Sequence, residues 1–206
     1  MAMPQQTPKR IVIGITGASG AIFAGRTISL LHQLGHELHI IITTFGKRLL
    51  YDELGMEGVN IAALAGIPEG DDPEQHNIFV HPVKNVGASP ASGSFRHDGM
   101  IVIPCSANTL GAVATGTGDN LLTRAAAVAL KERLPLVLCH REAPLSLIDI
   151  ENMKQATLAG AIVNPMNPGY YLMPESIDDL VDFVVGRTLD LIDIEHNLNI
   201  RWQQSP

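Results

Sequence analysis

Three glycines, Gly14, Gly17 and Gly20, surround Ser19 in the stretch GITGASGA, where an apolar β-like run gives way to a helical pattern. Exposed N–H groups at such a turn, together with the positive end of the helix dipole, favour an anion. A second stretch, PCSANTLGAVATGTGDN, carries Ser106, Ala107, Asn108 and Thr109 to a helix start behind another apolar run. Hydroxyls, an amide and orphan N–H groups converge there. Basic residues follow: Arg124 and Lys131 are two helical turns apart and share a face, and Arg141 and Glu142 come just past a buried-looking run. Tyr170 and Tyr171 sit in a proline-ringed loop, and Arg187 lies on the last helical pattern. Groups of these types suit the holding of phosphate-bearing ligands.

The spacing narrows the ligand. The first turn reads G-x-x-G-x-x-G, not the dinucleotide G-x-G-x-x-G, and no Lys-Ser/Thr pair follows as in a Walker loop. A dinucleotide fold also wants an acidic ribose partner about 20 residues on. The second strand-like run instead ends IIITTFG, with Thr43 and Thr44 and no carboxylate. That favours a mononucleotide such as FMN over NAD. Simpler readings stand beside these: a tight glycine turn that binds nothing, and plain N-capping by Ser106. Cys105 and Cys139 end strand-like runs. No Cys-His pairing is legible, so Cys105 reads as a small buried thiol rather than a nucleophile.

The elements that must position these residues are β-type runs at RIVIGIT, ELHIIITT, MIVIPCS, LPLVLCHR and AIVNP, alternating with helical patterns over 21–34, about 46–54, 108–115 with 120–133, and 147–159. Apolar strands alternating with helices predict a three-layer, Rossmann-like α/β fold, its parallel sheet covered on both faces. A last helix is expected over about 176–194, with the stripe Ile177, Leu180, Val181, Val184, Val185, Leu191, Ile192. Residues 55–98 break the alternation and read as loop-rich. No linker is visible, so 1–206 reads as one domain with flexible ends at 1–9 and 201–206. The 206 residues are 46% hydrophobic and 17% charged, as a globular chain should be, and the net charge of −7 argues against a general nucleic-acid binder. Two cysteines imply no disulfide framework, and no run approaches a membrane span. A cytoplasmic protein is expected.

The ordered set GITGASGA, SGSF, PCSANTL, LLTRAAAVALKERLPLVL, REAPLS, NPGYY and SIDDLVDFVVGR resembles the flavin prenyltransferases, the UbiX-like family of the flavodoxin-like flavoproteins. The likeness covers nearly the whole chain except about 55–85 and the ends. It implies transfer of a dimethylallyl group from dimethylallyl monophosphate to N5 and C6 of reduced FMN, without a metal. It also implies supply of prenylated FMN to a UbiD-like decarboxylase, and trimers assembled into a homododecamer. The resemblance places FMN on Gly17, Ala18, Ser19, Thr43, Ser106, Ala107, Asn108, Thr109 and Arg141. It places the prenyl phosphate near Arg124, Lys131, Tyr171 and Arg187, with Ser19, Glu53, Lys131 and Glu142 as catalytic residues of a site shared between subunits. The chemistry agrees in kind: a phosphate leaving group needs several cations and hydroxyls, and ring closure at C6 needs a proton acceptor such as Glu142. Departures from the family pattern are Ala127 where aspartate is usual, Leu134 where arginine often follows, and Thr43 where serine is common.

Two further features compete. Asp178, Asp179 and Asp182 form a D-D-x-x-D pattern, used elsewhere to bind magnesium diphosphate, but at a helix start acids are expected for the dipole. The motifs also resemble FMN-dependent peptidyl-cysteine decarboxylases, which want a histidine before the strand of the SANT loop, where His97 stands. A non-catalytic FMN carrier is the third reading, and the apolar last helix and the Trp202-bearing tail offer surfaces for oligomerisation.

Overall fold

The computed structural model describes residues 7–201. In chain order the elements are β1 (Arg10–Ile15), α1 (Ala21–Gln33), β2 (Glu37–Ile42), α2 (Thr44–Leu54), α3 (Ile61–Ala65), β3 (Ile78–Pro82) and β4 (Gly99–Cys105). They continue with α4 (Ala107–Thr115), α5 (Leu121–Lys131), β5 (Leu136–His140), α6 (Leu147–Leu158), β6 (Ile162–Val163) and α7 (Ile177–Asp190). All six strands are parallel, in the order β3-β2-β1-β4-β5-β6. This is the expected three-layer α/β fold.

Strand periodicity divides the core. Ile11, Ile13 and Ile15 of β1, with Ile40, Ile101 and Val137, face one way and meet Ile28 and Leu31 of α1 and Val181, Val184 and Val185 of α7. Val12, Met100, Val102, Leu136 and Leu138 face the other way and meet Leu110 and Val113 of α4, Leu121, Leu122 and Ala125 of α5 and Ala156 of α6. Residues alternating across a strand point to opposite faces, so both layers must be present before either set is dry.

The strand order reverses between β1 and β4. Chains leaving the two strands turn to opposite faces, and the crevice at the carboxyl ends is where such sheets bind ligands. Both cradles read from the sequence, after β1 and after β4, open there.

Two local differences have physical causes. β3 falls inside the loop-rich stretch 55–98. It is a short edge strand paired only to β2, half-exposed and ended by Pro82, and proline is compatible with an edge. The last helix stops at Asp190, and the chain passes through a positive φ of 54° at Asp193. Ile192 and Ile194 return to the core as loop residues, while Ile177 is 69% exposed. Near the ends, Lys9 Nζ donates to the carbonyls of Ile192 and Asp193 at 3.2 and 2.7 Å, and Arg201 Nη2 lies 3.5 Å from Asp190 Oδ1. Trp202 lies outside the described residues.

Candidate functional site

The first cradle is filled from within the chain. Gly20 sits at φ 127°, a conformation open to glycine, and supplies no side-chain cap to α1. Glu53, at the end of α2, reaches back instead: its Oε2 accepts from Gly20 N at 3.0 Å and from Ala21 N at 2.7 Å. Burial pushes the Glu53 carboxyl up, but bonds from Ala21, the Ser19 hydroxyl and Gly20, with the nearby Arg141 charge, outweigh it and hold the group below its usual range. Ser19, Glu53 and Arg141 therefore form one cluster, with the Ser19 side chain turned onto the carboxylate. Gly17 is demanded by packing, because a Cβ there would collide with the Cβ of Phe45.

Thr16 joins the two cradles. Its Oγ1 donates to Pro104 O at 2.8 Å and accepts from Ser106 N at 2.8 Å. Ser106 then caps α4, its Oγ accepting from Thr109 N at 3.4 Å and donating to Thr109 Oγ1 at 3.2 Å. Thr43 caps α2 through Gly46 N at 2.9 Å. Asn120 caps α5 in a reciprocal box with Thr123.

These three helix starts border one cavity of about 880 Å³ whose lining includes Gly17, Thr43, Ser106, Asn108, Thr109 and Asn120. Each helix leaves first-turn N–H groups without intrahelical partners and presents roughly half a positive charge. An anionic mononucleotide fits such a space in size and in donors. Ala107 begins α4, whereas Ala18, Ser19 and Arg141 are not among the residues that line this cavity. The sequence reading missed Phe45, Lys84 and Thr123 in the lining. The N-x-x-T of the α5 capping box was a usable signal; Lys84 follows the unrecognised strand and had none.

The cations divide. Arg124 and Lys131 line a second cavity of about 370 Å³ together with Gly116, Gly118, Ala91 and Ala127. Lys131 Nζ is 3.9 Å from Glu132 Oε1, and no carboxylate among the described residues pairs with Arg124. Tyr171 and Arg187 lie elsewhere: the Tyr171 ring meets Phe183 edge-on at 5.6 Å, and Arg187 Nη1 binds Asp190 Oδ2 at 2.8 Å. Glu142 is exposed and accepts from Ala143 N at 3.1 Å. The single chain thus does not gather the four phosphate candidates into one pocket.

The competing features separate as well. Asp179 accepts from Ser176 N and Glu175 N at 2.9 Å as part of a helix cap, and Asp182 is paired bidentately with Arg26. Cys105 is fully buried, which pushes its thiol far above the usual range and away from thiolate chemistry. His97 is buried at the amino end of β4, and a strand of that length spans about 20 Å to the cradle at its other end.

A nucleotide-sized cavity at the switch point of a doubly wound sheet defines a flavoprotein-type domain, and residues 3–189 match the family model described as Flavoprotein. A flavin prenyltransferase UbiX of Saccharolobus solfataricus is 38% identical over 201 residues, 97% of this chain and 94% of that protein. The crystal structure of AnUbiX (PadA1) in complex with FMN and dimethylallyl pyrophosphate superposes with a TM-score of 0.87 at 39% identity, over 97% of this chain and all of that one. A dodecameric FMN-dependent UbiX-like decarboxylase from Escherichia coli O157:H7 gives 0.85 at 38%, over 95% and 100%. The chain belongs to the UbiX flavin prenyltransferase family of flavoproteins.

Proposed function

We propose that this chain transfers a dimethylallyl group from its phosphate ester to N5 and C6 of reduced FMN and supplies the prenylated flavin to a UbiD-like decarboxylase. The observation that carries the reading is the convergence of three helix N-termini on one cavity, in a chain similar over nearly its whole length to a prenyltransferase crystallised with FMN and a prenyl phosphate. Reduced FMN supplies the nucleophilic ring atoms. The residues that hold it are Gly17, Ala18, Ser19, Thr43, Ser106 to Thr109 and Arg141.

Arg124 and Lys131 bind the prenyl phosphate and stabilise the charge that develops on it as the allylic bond breaks. Arg187 and Tyr171 complete the set from a neighbouring protomer. Their separation within one chain supports a site shared between subunits, as do the exposed apolar side chains of Phe45, Leu147 and Ile148, each 72–73% accessible. The assembly is a homododecamer, as in the E. coli neighbour. Glu142 serves as the acid–base group of ring closure, giving a proton to the prenyl alkene and taking back the proton lost from C6. Glu53 fixes the Ser19 hydroxyl beside the site. The donor is dimethylallyl monophosphate, one phosphate shorter than the ligand of the AnUbiX complex. Residues 1–206 act as one domain, which the continuous sheet supports. No helix among the described residues is long and apolar enough to cross a membrane, and the cytoplasm is the proposed location.

The test is anaerobic mixing of protein, reduced FMN and dimethylallyl mono- or diphosphate, followed by mass analysis of the released flavin. A flavin heavier by one prenyl unit is expected with the monophosphate. Bound FMN that stays unmodified with either ester would make the chain a carrier instead.

A further inference from the structure

Lys84 stands in the wall of the 880 Å³ cavity that the starts of α2 and α4 also line. The chain holds it there firmly. Pro82, Val83, Lys84 and Asn85 form a tight turn closed by Asn85 N donating to Pro82 O at 2.9 Å, and Leu121 N, in the first turn of α5, donates to Val83 O at 2.8 Å. The turn is thereby fastened to the third helix start that borders the cavity.

Its charge is unspent. No acid pairs with Lys84 among the described residues. Asp119, the one carboxylate among the residues lining that cavity, is engaged by Asn120 Nδ2 at 2.8 Å and Thr123 Oγ1 at 3.2 Å. A phosphate monoester carries about −1.5 to −2 charges at neutral pH, and a full cation adds to the partial charges that the helix ends supply. From this arrangement we infer that Lys84 is a positioning residue for the phosphate of FMN, pairing with it within the cavity and selecting FMN over riboflavin. The inference rests on the flavin reading of this cavity and adds a cation to it.

The test is fluorescence titration of the whole protein with FMN and with riboflavin, for wild type, Lys84→Met and Lys84→Arg, at low and high salt. An exposed ion pair is screened, so the expected loss of FMN affinity in Lys84→Met is about fivefold at low salt and smaller at high salt. Riboflavin affinity stays unchanged, and Lys84→Arg retains most of the FMN affinity. Equal loss for both flavins, or no loss for FMN, overturns the inference while leaving the flavin site in place. A wild-type protein that takes neither flavin overturns the site reading itself.

Discussion

Glu53 Oε2 accepts the amide hydrogen of Ala21 at 2.7 Å, so the first glycine turn already holds an anion, and that anion belongs to the protein. The dipole of α1 is satisfied by a carboxylate that also fixes Ser19. Glu53→Ala is expected to lower stability by about 1 kcal/mol, the usual worth of a lost cap, and to reduce prenylation more than FMN affinity. Urea denaturation and flavin titration check the two parts. The pH dependence has a definite sign. A carboxyl held below its usual range stabilises the fold fully above that range and loses the contribution as pH falls through its depressed value. Wild type should therefore lose stability relative to Glu53→Gln on acidification, and parallel curves for the two proteins would contradict the assignment.

Thr16 makes a second prediction. Thr16→Val keeps the shape but leaves Ser106 N without its 2.8 Å partner, while Pro104 O keeps only the Thr16 backbone N–H at 3.3 Å. A buried group so orphaned costs about 1–3 kcal/mol. Because the hydroxyl stitches the loops after β1 and β4 together, FMN affinity should fall alongside the melting temperature. Unaltered flavin binding in a destabilised variant would separate the stitch from the site.

Ala127 lies between Arg124 and Lys131 on one face of α5 and in the same small cavity. Ala127→Asp sets a carboxylate at helical ion-pair spacing from both cations. The expected result is a higher KM for the prenyl phosphate with little change in FMN affinity. Lys131→Ala and Glu142→Ala should retain FMN yet fail to prenylate it, and full activity in either would remove that residue from the mechanism.

The aspartates of the last helix start make the fourth. Asp179 is a cap and Asp182 an ion-pair partner of Arg26, so neither is free for a metal–diphosphate cluster. Turnover is expected to be unchanged by chelators. Activity abolished by EDTA and restored by magnesium would contradict this.

The order of elements was legible because apolar β-runs and amphipathic helices carry their own periodicity, and the cradles were legible because Gly17–Ser19 and Ser106–Thr109 sit where one period gives way to the other. The caps at Thr43 and Ser106 depend on neighbours within three residues, so sequence determined them too. β3 was not legible, since an edge strand needs only one apolar flank and its flanking loops hid it.

Tertiary structure alone decided what fills the first turn, because Glu53 arrives there only after α1, β2 and α2 have folded back on β1. It alone brought Lys84 to the start of α5 and parted Tyr171 and Arg187 from Arg124 and Lys131. Local propensity acts over a few residues, whereas these relationships depend on how distant segments pack across the two faces of the sheet.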